Sequence, residues 1–208
     1  MKMNGFVALL ILVADFQVII SVGIRALSCN HTQHKGTMMR EYDREKVMEK
    51  HNQRRRDLAK GLFNDYPPAK NMQYMTYDCD LEGEAFETAK ANCELPKPPE
   101  PTKSSLGSNN CTLTKFRYNS TTGRAFPDYD EILRSWFTTV GSYNDTYSLR
   151  PLHYKNSTMI PFLQAANGAT TKLGCAYAVC DGGEDPDHPR IEFTCKYGGA
   201  VSYQFKSH

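Results

Sequence analysis

Seven cysteines constrain this chain of 208 residues more than any other feature: Cys29, Cys79, Cys93, Cys111, Cys175, Cys180 and Cys195. In an oxidising compartment most of them must pair, and the odd number leaves one thiol over. No Cys-x-x-Cys pair and no Cys/His cluster at zinc-site spacing occurs. The expectation is therefore a framework of structural disulfides, not a cysteine metal site or nucleophile. Such a framework decides which segments lie side by side, but the order of the cysteines leaves their connectivity open.

The compartment is legible at the N-terminus. Lys2, a mostly apolar run from Phe6 to Ile20 and the small residues that follow read as a secretory signal peptide over residues 1–28, cleaved after Gly23 or Ser28. Asp15 and Gln17 interrupt the run, whereas a spanning helix needs about 20 apolar residues. No transmembrane segment is expected after cleavage, and an extracellular, secreted protein follows, with a leader over residues 29–44. If cleavage falls after Ser28, Cys29 becomes the mature N-terminus and the most mobile candidate for the spare thiol. Five Asn-x-Ser/Thr sequons, at Asn30, Asn110, Asn119, Asn144 and Asn156, stand in polar, loop-like sequence and predict a glycoprotein.

Charge and length exclude some classes. Hydrophobic residues make up 40% of the chain, enough for one principal domain with a real core. A net charge of +2 is far from the strong positive field of a nucleic-acid binder, so no nucleic-acid partner is expected.

Periodicity places three helices before the strands. "REKVMEKHNQRRRDLAKGLF" sets Val47, His51, Arg54 or Arg55, Leu58 and Leu62 at helical intervals, with Gly61 near the end and the arginine run expected on a solvated face. After the Pro67-Pro68 turn, a second pattern runs through Leu81, Ala85, Phe86, Ala89 and Cys93, its alanines permitting close packing. "ELPKPPEPTKSSLGSNN" then reads as a surface loop, because its prolines lack amide donors. "PDYDEILRSWFTTV" gives the third helix, with Ile132, Leu133, Trp136 and Phe137 on its core face. "KLGCAYAVC" and "RIEFTCKYGGAVSYQF" read as two or three antiparallel strands. Glu184, Asp185, Asp187 and His188 in the loop between them match no calcium-loop spacing. Helices first and strands last indicate an α+β fold.

These segments carry a family resemblance. "HNQRR" at His51 to Arg55 resembles the HNxxR motif that opens CAP domains, also called SCP/TAPS or venom-allergen-like domains. "YDCDLEGEAFETAKANC" is similar to that family's second helix, above all in its nematode activation-associated, Ancylostoma-secreted-protein-like members. "SWF" at Ser135 to Phe137 resembles the third helix, "KLGCAYAVC" the central strand and "FTCKY" the next one. The resemblance covers residues 45–205 as one CAP domain without a C-terminal cysteine-rich extension. It implies a three-layer α-β-α sandwich around an antiparallel sheet, held by Cys175–Cys195 and Cys93–Cys180. Cys79 would take either Cys111 or Cys29.

The resemblance also implies what the cleft lacks. Members of the family often hold a metal there on two histidines and two glutamates. By position those four correspond to Lys97, Ser108, Thr139 and Pro161. A lysine at neutral pH has no lone pair to give and a proline no side-chain ligand, so no metal and no cofactor are expected. His153, eight residues before Pro161, is not expected to compensate. Gln164 stays where the family has its glutamine, and Asn167 replaces the usual tryptophan. His51, Asn52, Arg55, Trp136 and Gln164 read as the structural frame.

Three functional classes remain. The resemblance favours a secreted, non-catalytic effector that acts on a host protein or cell-surface receptor, without an Arg-Gly-Asp tripeptide to name an integrin. The alternative is a lipid or sterol carrier using an apolar groove. An enzyme is disfavoured: no GxSxG elbow, HExxH helix or local Cys/His pair occurs, and Ser108 and Thr139 are hydroxyls with no identifiable base.

Overall fold

The computed structural model describes residues 29, 39–63, 68–94, 107–119, 121, 124–139, 159–180 and 190–198. The signal segment, Asn30, Lys97, Asn144, His153, Asn156 and the acidic loop 181–189 lie outside the described residues.

The first helix, α1 (Glu41–Ala59), starts within the stretch assigned to the leader. Asp43 is the reason: its carboxylate accepts the Arg40 backbone N–H at 3.1 Å and the Arg40 side chain at 2.9 Å, closing the first turn. At the other end Gly61 takes φ 69°, Leu62 N–H donates to the Asp57 carbonyl at 2.8 Å and Gly61 N–H donates to that of Leu58. This is the glycine stop that reverses the chain. Val47, His51, Arg55 and Leu58 are buried as the spacing predicts, but Leu62 lies past the stop and is 70% exposed. The arginine run is not a uniform solvated face either, since Arg55 is buried in its middle.

After β1 (Thr76–Tyr77) comes α2 (Cys79–Cys93), capped by Asp78, whose side chain accepts from the amides of Asp80 and Leu81. The strand β2 (Ser108–Leu113) follows, then a small hairpin of β3 (Arg117–Asn119) and β4 (Arg124–Phe126). Residues 108–110 are therefore in a strand and not in the loop expected there. Next, α3 (Tyr129–Thr138) is capped by Asp128 and buries Ile132, Leu133, Trp136 and Phe137. A short helix, α4 (Ile160–Ala166), precedes the long hairpin of β5 (Lys172–Cys180) and β6 (Arg190–Gly198).

The main sheet has the order β1-β5-β6-β2, antiparallel except where β1 joins β5 in parallel. Strand alternation divides it into two faces. Gly174, Ala176 and Ala178 alternate along β5 on the side toward α2, and these small residues let Ala85 and Ala89 approach closely. A Cβ on Gly174 would stand 2.3 Å from the Glu82 backbone nitrogen, so only glycine fits beneath this helix. Leu173, Tyr177, Phe193 and Tyr197 occupy the opposite face and are buried among α1, α3 and α4. There Trp136 stacks on Phe193 with centroids 6.0 Å apart. The result is a three-layer α-β-α sandwich: α2, the sheet, then α1, α3 and α4.

Disulfides join Cys29 to Cys79, Cys93 to Cys180 and Cys175 to Cys195, and Cys111 is the free thiol. Cys29 is therefore not the mobile spare; it is buried and bonded to Cys79 at the start of α2. Loops of this kind are worth about 2–4 kcal/mol each. Beneath that bridge lies an ion pair the sequence did not announce. The guanidinium of Arg44 grips Glu82 with two bonds of 2.6 and 2.8 Å, and Tyr77 donates to the same carboxylate at 2.8 Å. With the two side chains 2% and 0% exposed, removing either would strand a buried charge, at about 3–5 kcal/mol.

Candidate functional site

The HNxxR motif is a set of backbone clamps. Asn52 behaves like a strand residue: its amide donates to the Met75 carbonyl and its oxygen accepts the Met75 N–H, both at 2.9 Å. Arg55 reaches the carbonyls of Gln73, Ala165, Asn167 and Thr170 at 2.7–3.2 Å. Burial pushes its pKa down to about 10, which still leaves it charged at neutral pH, with carbonyl oxygens supplying the compensation. One arginine thus holds the segment before β1 and the turn between α4 and β5.

His51 anchors a second polar chain across the core. Its Nδ1 lies 2.8 Å from the Val47 carbonyl, which fixes the proton there, so Nε2 accepts from the Tyr197 hydroxyl at 3.0 Å. That hydroxyl in turn accepts from Asn109 Nδ2 at 3.0 Å. Asn109 also donates to the Pro161 carbonyl at 2.9 Å, and Gln164 Nε2 donates to Asn109 Oδ1 and the Ser108 carbonyl at 2.8 and 2.9 Å. His51, Tyr197, Asn109, Gln164 and Ser108 are all buried, and together they tie α1, β2, α4 and β6. Burial lowers the His51 pKa to about 4, so the ring is neutral at physiological pH.

Two of the four substituted ligand positions belong to this chain. Ser108 and Pro161 both serve it through their backbone carbonyls, and the buried Ser108 hydroxyl has no hydrogen-bond partner among the described residues. Thr139 stands elsewhere, at the C-terminal end of α3, where its hydroxyl donates to the Trp136 carbonyl at 2.7 Å. Ser108, Thr139 and Pro161 offer no imidazole and no carboxylate, so they do not fit a divalent metal. Among the described residues no group of three or more His, Cys, Asp and Glu side chains is placed to hold one.

Thr139 lines a cavity of about 190 Å³ with Cys111, Leu113, Glu131, Ile132, Ser135 and Trp136. The free thiol thus opens on a mainly apolar space between β2 and α3. Burial, then the carboxylates of Glu192 and Glu131, push its pKa up to about 12.

Sequence reasoning named His51, Asn52, Arg55, Trp136 and Gln164 but missed Asn109 and Tyr197. Asn109 sits beside the sequon at Asn110, and both read as polar loop. In the structure Asn110 is in β2, where its side-chain oxygen accepts from Thr194 at 2.9 Å. Asn119 is exposed at the end of β3.

The frame described above matches a known family: residues 48–197 match the cysteine-rich secretory protein family, CAP. The chain belongs to the CAP family. Among curated proteins it is 26% identical over 170 residues to Ancylostoma secreted protein of Ancylostoma caninum, covering 76% of this chain and 34% of that one. The chain therefore spans about a third of that relative's length. Among solved structures, Hookworm Platelet Inhibitor superposes with a TM-score of 0.56 at 24% identity, covering 83% of this chain and 78% of its own. BmVAL-1 gives 0.59 at 23% identity, with 80% and 81% covered. At these identities the likeness shows the CAP fold. No helix among the described residues is long and apolar enough to cross a membrane.

Proposed function

We propose that this CAP protein is a secreted, glycosylated, non-catalytic effector that recognises a host protein or cell-surface receptor through its exterior. The observation that carries the reading is how the substituted cleft positions are used. Ser108 and Pro161 give their carbonyls to a buried structural network, and the Thr139 hydroxyl closes its own helix end. None of the three side chains carries an imidazole, a carboxylate or a thiol that would serve as a base or a metal ligand. The protein's three disulfides suit an oxidising compartment. Hookworm Platelet Inhibitor is a protein of the same fold whose name records inhibition of platelets.

The test uses protein secreted from eukaryotic cells, with native mass spectrometry, elemental analysis and binding to mammalian platelets and leukocytes. Saturable cell binding by a protein free of zinc and of adducts is the expected result. One zinc per chain, or turnover of any substrate lost on Ser108→Ala, would refute the non-catalytic reading. A stoichiometric lipid-sized adduct would replace it with the carrier function. The cavity beside Cys111, at about 190 Å³, is smaller than the roughly 300–1,000 Å³ of typical ligand sites.

A further inference from the structure

The outer face of the β3-β4 hairpin carries an unusual gathering of charge. Arg117 and Phe126 are directly opposite each other in the register, as are Asn119 and Arg124, so all four project from one face. The guanidiniums of Arg40, Arg117 and Arg124 each lie within 6 Å of the Phe126 ring centroid, at 5.7, 5.4 and 5.8 Å. One such contact is an ordinary cation–π pair; three on one ring bring like charges together at an electrostatic cost. Asp43 compensates part of it, bonding Arg40 at 2.9 Å and Arg124 at 3.2 Å. Arg117 is exposed and has no carboxylate partner among the described residues.

The positive surface continues from there. Arg40 is the N-cap of α1, so a cation stands at the positive end of a 19-residue helix dipole, against the usual preference. Lys46, Lys50 and Arg54 recur at four-residue spacing along α1 and all act on Asp130. The Lys50 ammonium bonds that carboxylate at 2.6 Å, and the group as a whole holds its pKa down. Arg124 of the hairpin bonds Asp43 in the first turn of α1 at 3.2 Å, so the hairpin abuts the start of the helix that carries Lys46, Lys50 and Arg54. Arg40 and Arg124 thus share Asp43, Lys50, Arg54 and Lys46 act on Asp130, and Arg117 is bonded to neither acid. Among the described residues Glu41 and Glu49 form no ion pair with these cations. Tyr42, 60% exposed beside Arg40, adds a bare aromatic ring at one end.

From Arg40 to Arg54 this band runs about 20 Å along the helix. A single phosphate or carboxylate would engage one cluster only; an extended polyanion engages all of it. Guanidiniums in a fork suit tetrahedral oxyanions, and an exposed aromatic ring suits the C–H face of a sugar. We infer that the surface formed by Arg40, Arg117, Arg124, Lys46, Lys50 and Arg54 binds a linear sulfated polysaccharide. The inference rests on the reading of an extracellular recognition protein and names the chemistry of its partner.

The test titrates the full-length secreted protein, freed of N-glycans because Asn119 shares the hairpin face, with a heparin-derived octasaccharide. Binding should weaken steeply as salt rises. Arg117→Gln should weaken it about tenfold, as expected for one charge-assisted contact. Lys90→Gln, on the α2 layer, should leave it unchanged. The inference is overturned by absent binding, by equal binding of a desulfated octasaccharide, by equal losses in the two variants, or by binding to phosphatidylserine vesicles alone. Host-cell binding that persists after enzymatic removal of cell-surface sulfated glycans would likewise overturn it, yet leave the proposed function standing.

Discussion

Replacing His51 by glutamine should remove a pH dependence that the wild-type protein carries between pH 8 and pH 4. The imidazole is fully buried, neutral and committed at both nitrogens, with a pKa near 4 against 6.5 for an exposed histidine. Between those values the unfolded chain binds a proton that the folded one refuses, so stability rises with pH across this window. The contribution is intact above about pH 7 and is lost as pH falls. Integrating the linkage, folding loses about 2 kcal/mol by pH 5 and about 3 kcal/mol by pH 4 relative to neutrality. Urea unfolding with disulfides intact, followed by fluorescence of Trp136 at pH 8, 7, 6 and 5, measures it. The side-chain oxygen of a glutamine can accept from the Tyr197 hydroxyl but cannot be protonated in this range. His51→Gln should therefore be less stable at pH 8 but lose about 2 kcal/mol less than wild type on going to pH 5. The lowered carboxyls of Asp78 and Asp130 act only below their ordinary value of 3.8, outside this window. Parallel pH profiles for the two proteins would refute the neutral, doubly bonded imidazole.

Two further outcomes test the packing and the free thiol. Gly174→Ala places a methyl against the backbone of Leu81 and Glu82, which must shift as a unit; the expected loss is about 3 kcal/mol or more, read as a lower urea midpoint, and a near-neutral effect would show that α2 does not lie this close. Cys111, held near pKa 12 in its apolar cavity, should resist a thiol reagent in the native protein at pH 8 and react at one equivalent per chain once unfolded without reductant. Rapid native labelling, or none after unfolding, would contradict that placement.

The long periodic elements were readable from sequence because burial on one face leaves a repeat. Ile132, Leu133, Trp136 and Phe137 announce α3, and the alternation of β5 and β6 announces the hairpin. Short elements gave no such repeat. α4 has seven residues and opens on Ile160-Pro161, while β2 reads "SNNCTL" and is a strand because β6 pairs with it along its whole length. The parallel edge strand β1 is two residues long for a similar reason. At the site, charge misled. The arginine run read as a solvated face while the family pattern named Arg55 as frame; its acceptors come from positions 73, 165, 167 and 170, which only the fold brings together. Arg44 and Glu82, 38 positions apart, are hidden for the same reason. His51, Asn52 and Gln164 were recognisable through the family pattern, but Asn109 and Tyr197, which complete their network, carry no local signature.

The second helix is bridged at both of its ends, by Cys79 to Cys29 and by Cys93 to Cys180. Between Cys93 and β2 runs the proline-rich stretch 95–106, and a protease that cut there would divide the chain into two pieces. Those pieces would stay joined through Cys93–Cys180, with β1 and α2 of the first still seated on β5 of the second. Covalent circuitry of this kind uncouples the integrity of the molecule from the continuity of its backbone. A nick in that stretch would leave Arg40, Arg117 and Arg124 gathered on Phe126 and change only what a reducing agent reveals.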